Sequence, residues 1–332
     1  MPVQAQYRVP EGDIAQPPEC YRVLSLSGGG FRGLYTARLL SRIEQSQAFG
    51  EGPIGSRFDM LAGTSVGGII AAGLAVGVSA ATVYELLAHW GPAIFPKISV
   101  RGLKKIFSKK VYSAAPLEKA IEACMNGHAR KALNEIDKPL MLTTVSWSLG
   151  EIRLLKSRGL ARGDASSCTI LQAARATSAA PAHFPPIMIE DDWHVDGGLA
   201  ANCPDVHAMG LAQKRGPQVR MLSVGTTGVT HKSLQSKIPL RGMFWAKPAL
   251  DLSMQAQERI AQETCRLTLN DRYLHLNSVA QVGHEVLKDL DVANLDTTSA
   301  LTKLADKRFE ELMADPDEVR RLRQILAPSP VV

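Results

Sequence analysis

The sequence lacks the cysteine patterns of disulfide-bonded or zinc-binding proteins. Its 332 residues contain five cysteines, an odd number, and no two of them form a Cys-x-x-Cys pair. Such a scattered set of thiols argues against a disulfide framework and gives no sign of a zinc site. We therefore expect a reducing compartment, no metal ion and no resident cofactor.

The sequence also lacks a long apolar run and a basic, then apolar N-terminus. Residues 1–20 are polar and contain proline, which argues against a signal peptide and predicts a loose N-terminal arm. The most apolar stretch, GGIIAAGLAVGVSAATVYELL (67–87), is interrupted by glycines and contains Glu85. It is therefore too broken to match the roughly 20 continuous apolar residues of a membrane span. We interpret it as one buried central helix, and we expect a cytoplasmic protein.

The overall composition is that of a globular protein with a basic balance. Hydrophobic residues make up 45% of the chain and charged residues 21%, which argues against disorder. The formal net charge of +6 favours anionic partners such as a phospholipid surface or a nucleotide. Charge alone is equally typical of a soluble enzyme that happens to be basic.

Short strand-like runs alternate with helical patterns over the first two thirds of the chain. After the run YRVLSLS (21–27), apolar residues recur at helical spacing at Leu34, Ala37, Leu40 and Ile43. Further strand candidates are FDMLAGTS (58–65), PLMLTTVSWSL (139–149) and VRMLSVGTT (219–227). This alternation predicts an α/β fold.

The last third of the chain has a different pattern. From about residue 231, helix-like segments predominate, with one strand candidate at DRYLHLN (271–277). We expect residues 231–332 to form a mostly helical part that packs on a core made by residues 21–230. The chain would then be a single domain preceded by the arm at 1–20.

A nucleophile motif stands between a strand candidate and the long apolar helix. Residues 63–67, GTSVG, match Gly-x-Ser-x-Gly, in which the serine occupies a tight turn and its neighbours must be glycine to avoid collision. The turn would expose Ser65 Oγ at the N-terminus of the following helix, whose dipole favours developing negative charge. We predict that Ser65 is a catalytic nucleophile.

A serine hydroxyl needs a base, and no histidine stands in an evident motif. His183 lies in APAHFPP (180–186) and His194 two residues before Asp196; both are more typical of structural positions. Asp196 ends a short strand and precedes Gly197-Gly198, where missing side chains allow close approach. We predict a Ser65–Asp196 dyad, with a histidine base and a merely structural turn aspartate as the alternatives.

A run of glycines opens the first strand-to-helix connection. Gly28, Gly30 and Gly33 match the dinucleotide pattern Gly-x-Gly-x-x-Gly, but the same geometry also suits an oxyanion hole. A dinucleotide site needs an acidic residue at the end of a second strand about 20 positions on. Glu51 falls instead in the loop FGEGPIG. The pattern therefore favours an oxyanion hole.

Four blocks in this order resemble the signature of the patatin-like phospholipases: GGGFRG (28–33), GTSVG (63–67), ATSAAPAHFPP (176–186) and DGG (196–198). The resemblance covers about residues 21–230, with LSVGTTG (222–228) as a further similar segment. It implies a three-layer fold with a central, mostly parallel sheet flanked by helices. It also implies a lipid acyl hydrolase that uses Ser65 as nucleophile and Asp196 as base. By the same resemblance, an oxyanion hole would be formed or braced by Gly28, Gly29, Gly30 and Arg32. The glycines of the elbow and of the turn after Asp196 would be Gly63, Gly67, Gly197 and Gly198.

Among family branches, the opening LSLSGGGFRGLYTARLL (24–40) resembles bacterial effectors of cyclic-oligonucleotide anti-phage signalling (CBASS). That resemblance implies a dormant phospholipase that a cyclic dinucleotide switches on, with homo-oligomer assembly on activation. Membrane phospholipids at the inner face of the membrane would be the substrate, and we expect no DNA or RNA partner. The alternatives are a constitutive lipid acyl hydrolase, a soluble carboxylesterase or thioesterase, and a non-enzymatic nucleotide sensor. The sensor would leave Ser65 and Asp196 without a purpose.

Two basic segments are candidates for ligand or membrane contact. Segment 96–113 intersperses lysines, among them Lys104, Lys105 and Lys109, with apolar residues at helical spacing. A core-packed helix with solvated lysines has the same pattern. Segment 231–252 contains Arg241 and Trp245 and is typical of a lid, a membrane contact, a pocket for a phosphorylated ligand or an ordinary surface loop.

Overall fold

The computed structural model describes residues 20–96, 112–161, 164–181, 183–229, 246–280 and 290–328, so the predicted arm lies outside it except for Cys20. Its helices are Gly33–Gln45 (α1), Val66–Ala75 (α2), Ala80–Ile94 (α3), Ala114–Cys124 (α4), Ile170–Thr177 (α5), Gly198–Ala201 (α6), Asp205–Gln213 (α7), Ala246–Leu269 (α8), Leu295–Ala314 (α9) and Pro316–Leu326 (α10). Its strands are Cys20–Leu26 (β1), Met60–Gly63 (β2), Leu140–Ser146 (β3), Ile152–Lys156 (β4), Ile187–Ile189 (β5), Asp192–Asp196 (β6), Gln218–Val224 (β7), Gly228–Val229 (β8), Tyr273–Leu276 (β9) and Val279–Ala280 (β10).

A mixed, eight-stranded sheet forms the centre of the molecule. The strands β9, β7, β1, β2 and β3 lie side by side in that order and all run parallel. Antiparallel pairs occur at one end only, where β4 and β6 pair with β3 and β5 pairs with β6. The predicted α/β fold with a mostly parallel sheet is therefore confirmed.

Strand β3 brings two distant parts of the chain together. One edge of β3 pairs with β4 through residues 141–145. On the other edge, β2 runs parallel beside residues 140–142 and β6 runs antiparallel beside residues 144–146. The C-terminal ends of β2 and β6 therefore face each other along one edge of β3, with Thr143 between them.

Helices cover both faces of this sheet. Alternate strand residues point to opposite faces. Leu24 and Leu26 of β1 belong to a core cluster with α1 to α5, α9 and α10, whereas Val23 belongs to a second cluster with α7 and α8. Burial on both faces accounts for the nearly continuous apolar sequence of β1, as is usual in parallel sheets.

The prediction of one long helix over the apolar stretch 67–87 is wrong. The structure divides this stretch into α2 and α3. Gly77 lies between the two helices with a φ of 85°, a left-handed conformation that favours glycine. Ser79 then caps α3 by accepting a hydrogen bond from the Thr82 N–H. The turn folds α3 back so that it packs on α1 and α4.

The last third of the described chain contributes one strand to the sheet and helices that pack on its faces. The predicted strand over 271–277 is β9, which extends the sheet beside β7. Helix α9 packs on α1, where Asp306 pairs with Arg38 and Arg42 at 2.8 and 3.0 Å. Within the described ranges, every helix is too short or too polar to form a transmembrane span.

Candidate active site

Ser65 occupies a strained turn between β2 and α2. Its φ of 55° and ψ of −127° are rare for a residue with a side chain, as expected for a nucleophile elbow. The positions two residues before and after Ser65 must be glycine, because a side chain there would collide with the backbone. A Cβ on Gly63 would lie 2.4 Å from the Gly67 carbonyl oxygen, and one on Gly67 would lie 2.4 Å from the Leu26 carbonyl oxygen.

The side chains of Ser65 and Asp196 are hydrogen-bonded to each other. Ser65 Oγ donates to Asp196 Oδ2 at 2.8 Å, and the Gly198 N–H donates to Asp196 Oδ1 at 2.7 Å. Each carboxylate oxygen therefore has its own partner, which holds the group in one orientation. These residues stand 131 positions apart in the chain and meet because β2 and β6 end opposite each other on β3.

Burial sets the charge properties of Asp196. The side chain is 5% exposed, and burial raises the pKa of this carboxyl to about 6 against its ordinary value of 3.8. The hydrogen bonds from Gly198 and Ser65 and the charge of His183 oppose the shift without cancelling it. Asp196 is thus a stronger base than an exposed aspartate, yet it remains mostly ionised at neutral pH.

Gly197 lets the chain pass close to β3. A Cβ at this position would lie 2.2 Å from Thr143 Oγ1 and 2.4 Å from the Thr143 carbonyl oxygen. Thr143 Oγ1 also bonds to Thr64 Oγ1 at 2.7 Å. The same threonine therefore contacts both the segment that carries Ser65 and the segment that follows Asp196.

Thr177 contacts the candidate nucleophile, a role that no local sequence pattern indicates, although Thr177 belongs to the block ATSAAPAHFPP. The Ser65 N–H donates to Thr177 Oγ1 at 2.9 Å. The Thr177 carbonyl accepts a bond from the Gly197 N–H at 3.3 Å. Thr177 is fully buried. It connects the backbone of Ser65 to the backbone of Gly197, the residue that follows Asp196.

Within the described part of the chain, no histidine is hydrogen-bonded to the candidate nucleophile. His183 Nε2 lies 3.6 Å from Asp291 Oδ2, and its ring stacks on Tyr112. His194 is buried on β6, and this burial lowers its pKa, although the charge of Asp192 opposes the shift. Neither has a hydrogen bond to Ser65, so the arrangement favours Asp196 over the histidine alternative.

The glycine loop lies against Ser65. A Cβ on Gly28 would be 3.1 Å from Ser65 Cβ. The Gly28 N–H donates to the Asn202 carbonyl at 2.9 Å, and the Gly28 carbonyl accepts from Thr226 Oγ1 at 2.8 Å. Gly28 can therefore brace the loop but has no free N–H for an oxyanion. The N–H groups of Gly29 and Gly30 donate to no acceptor within the described ranges.

The family model for patatin-like phospholipases matches residues 24–207, more than half of the chain. The chain belongs to the patatin-like phospholipases. It is therefore a serine hydrolase that acts on lipid esters, and the predicted family is confirmed.

Three curated relatives of this patatin-like chain carry the name cGAMP-activated phospholipase. The one from Pseudomonas aeruginosa is 28% identical over 89% of this chain and 90% of its own length. The one from Vibrio cholerae is 30% identical over 86% and 88%, and the one from Escherichia coli is 31% identical over 84% and 85%. This chain is thus similar to these relatives over nearly their whole length.

The family resemblance assigns Arg32 to the oxyanion hole. In the structure, the charge of Arg32 acts on the carboxyl group of Glu258. Burial raises the pKa of Glu258 on α8, and the charge of Arg32 is the largest influence opposing that rise. Asn202 Nδ2 lies 3.4 Å from Glu258 Oε2 and 3.5 Å from the Gly28 carbonyl oxygen. The prediction that Arg32 braces the glycine loop remains a prediction, with Glu258 and Asn202 as the neighbours through which it would act.

The predicted contact residues Lys104, Lys105, Lys109, Arg241 and Trp245 lie outside the described residues. Their assignment to a ligand or a membrane stays a prediction. Glu51, by contrast, is described: it lies in a bend with no strand before it. The dinucleotide interpretation of the glycines accordingly lacks its ribose-binding carboxylate.

Proposed function

We propose that this patatin-like phospholipase cleaves ester-linked fatty acids from membrane phospholipids with a Ser65–Asp196 dyad. The observation that carries the proposal is the 2.8 Å hydrogen bond from Ser65 Oγ to a buried carboxylate. A base must lie within hydrogen-bond reach of the proton that it removes, and its pKa should be near the working pH. Asp196 meets both conditions, since burial raises its pKa to about 6.

In the first half-reaction, Asp196 takes the Ser65 proton while Oγ attacks the ester carbonyl carbon. Negative charge then develops on the carbonyl oxygen. The Gly29 and Gly30 N–H groups would donate to that oxygen, with support from the N-terminus of α2. Each well-placed donor contributes on the order of 3 kcal/mol, so the dyad needs no histidine. The protonated Asp196 then donates its proton to the departing alcohol. An acyl-enzyme remains, with the fatty acid esterified to Ser65 Oγ.

In the second half-reaction, water replaces the alcohol. Asp196, again ionised, accepts a proton from this water as it attacks the acyl carbon. The same N–H groups stabilise the second oxyanion, and collapse of the intermediate returns the proton to Ser65 Oγ. This half-reaction releases a free fatty acid and regenerates the Ser65 hydroxyl.

Fatty-acid release from phosphatidylcholine vesicles, measured with cGAMP present, tests the dyad. We expect Ser65→Ala and Asp196→Asn each to lower turnover by at least about a thousandfold. Asp196→Asn is the sharper variant because an amide keeps the shape of the carboxylate but cannot accept the proton. Circular dichroism of each variant checks the fold. Full turnover in Asp196→Asn would contradict the dyad and favour a histidine base.

We also propose that a cyclic dinucleotide activates the enzyme. The support is the similarity of this chain, over 84–89% of its length, to relatives named cGAMP-activated phospholipase. By this proposal the protein is an anti-phage effector that assembles into a homo-oligomer on activation and acts at the inner face of the cell membrane.

Vesicle hydrolysis with and without cGAMP tests the activation. We expect release only when both Ser65 and the nucleotide are present, with Ser65→Ala plus cGAMP as the control. Equal release without nucleotide would favour a constitutive lipid acyl hydrolase. Hydrolysis of short soluble esters alone would favour an esterase.

A further inference from the structure

Four large apolar side chains are exposed together at one end of the sheet. They are Trp147 (72% exposed), Leu149 (57%), Met188 (42%) and Trp193 (46%), and we call them the tryptophan patch. Trp147 and Leu149 belong to the turn between β3 and β4. The Trp147 N–H donates to the Trp193 carbonyl at 2.8 Å, and Met188 is the cross-strand partner of Trp193.

Because these four side chains are exposed, they are not part of the hydrophobic core. Tryptophan is a large apolar residue that normally contributes to cores and interfaces. Contiguous exposed apolar surface marks sites of contact with a protein or a membrane. Tryptophan in particular is enriched at the membrane–water interface, where its ring is apolar and its N–H remains hydrated.

The patch lies beyond the Ser65–Asp196 pair along β6, past the C-terminal end of β3. Trp193 precedes Asp196 by three residues on β6. At about 3.4 Å per residue, this strand carries the patch about 10 Å beyond the Ser65–Asp196 pair. Trp147 directly follows Ser146, the last residue of β3, on that same side. A surface that touched the patch would therefore lie about 10 Å, measured along the strand, from the backbone of Asp196.

The charges near the patch indicate which kind of surface would fit. The neighbouring charged residues are Glu151, Arg153, Glu190, Asp191 and Asp192, four acidic groups and one basic group, and the ionisable side chain of His194 beside them is buried. Asp192 accepts hydrogen bonds from Ser146 and Ser148 beside the patch. An acidic surface would be repelled here, whereas the interface of an electroneutral phospholipid bilayer would not.

We propose that the tryptophan patch is the surface by which the enzyme docks on phospholipid bilayers, by insertion of Trp147 and Trp193 between neutral headgroups. The proposal rests on the phospholipase activity, because a lipid substrate must reach Ser65 from a membrane. It differs from the predicted basic contacts at Lys104, Lys105 and Lys109, since docking through the patch does not depend on anionic lipid.

Vesicle binding in the Ser65→Ala background separates docking from hydrolysis. Partitioning onto phosphatidylcholine vesicles is measured by flotation for Trp147→Ser and Trp193→Ser, with cGAMP present. We expect each to bind about tenfold more weakly, and added salt to have little effect. The matched control is Leu267→Ser on α8, whose side chain is 70% exposed and lies outside the patch; it should bind like the parent. Undiminished binding by both tryptophan variants, or release of the parent by salt, would overturn the proposal.

A second measurement distinguishes a failure of docking from a failure of the proposed chemistry. In the Ser65 enzyme with cGAMP present, we expect Trp147→Ser to lower turnover of vesicles about tenfold more than turnover of a short soluble ester. Loss of vesicle binding in the variants with no hydrolysis of either substrate by the parent would support docking and contradict the proposed cGAMP-activated hydrolysis. Light scattering adds a further outcome: if the substitutions convert a dimer into monomers, the patch is a subunit interface and the proposal is wrong.

Discussion

At the scale of single residues, Asp196 is expected to control the pH dependence of catalysis. Only the ionised carboxylate can accept the Ser65 proton, and burial raises its pKa to about 6. We therefore expect kcat/KM to fall tenfold per pH unit below about pH 6. A pH profile with a soluble ester, recorded with cGAMP present, measures this limb. An acid limb that disappears in His183→Gln would assign the base to His183 instead.

The same burial predicts an effect on stability. The folded pKa of Asp196 lies above its ordinary value of 3.8, so the ionised form is disfavoured in the folded state. Its stabilising contribution is complete below pH 3.8 and is lost as the pH rises through about 6. At pH 8, Asp196→Asn should therefore increase the free energy of unfolding by about 1–3 kcal/mol. Urea denaturation at pH 8 and at pH 4 measures the difference, which should vanish at the lower pH.

Thr177 is a positioning residue for Ser65. Its hydroxyl accepts the Ser65 N–H at 2.9 Å and so helps to hold the strained elbow. Thr177→Val keeps the shape but removes the acceptor, and we expect kcat to fall about tenfold with KM little changed. Thr177→Ser should restore most of the rate. Equal losses in the valine and serine variants would indicate packing rather than the hydrogen bond.

At the scale of elements, the same substitution should have opposite effects in two helices. A Cβ on Gly67 in α2 would lie 2.4 Å from the Leu26 carbonyl oxygen, whereas one on Gly210 in α7 would meet nothing within 4 Å. We expect Gly67→Ala to destabilise the protein by about 2 kcal/mol or more. Gly210→Ala should stabilise it by up to about 1 kcal/mol. Thermal unfolding compares the two, and similar effects at both sites would contradict the close contact of α2 with β1.

Element prediction succeeded where the signal was local. The helix α1 follows from apolar residues at helical spacing, and the parallel strands β1, β3 and β7 follow from short apolar runs. The break between α2 and α3 was missed because the apolar composition continues through it. The antiparallel strands β4 and β5 also went unrecognised, since β4 carries polar residues at the sheet edge and β5 has three residues.

At the scale of the whole molecule, the proposed chemistry needs no metal. The proton acceptor is Asp196 and the oxyanion donors are backbone N–H groups, so all groups of the proposed mechanism belong to the chain. With cGAMP present, we expect vesicle hydrolysis to be unchanged in excess EDTA, with a calcium-dependent phospholipase as the control for chelation. A loss of turnover that added calcium or magnesium reverses would contradict the dyad mechanism.

The sequence by itself determined which residues were candidates. A nucleophile elbow needs glycines within two positions of Ser65, and this short-range steric requirement is visible in GTSVG. Asp196 was recognisable for the same reason, because two glycines follow it directly. Such patterns depend on neighbours in the chain and can therefore be recognised without a structure.

Only the tertiary structure decided how these candidates meet. Ser65 and Asp196 are 131 residues apart, and they touch because β2 and β6 approach each other along one edge of β3. The same packing uses the Gly28 N–H for Asn202, gives Thr177 its bond to Ser65, and leaves Trp147 and Trp193 exposed beside the site. These contacts join segments that are distant in sequence, and no local pattern specifies which strand edge or which hydrogen-bond partner a residue will find.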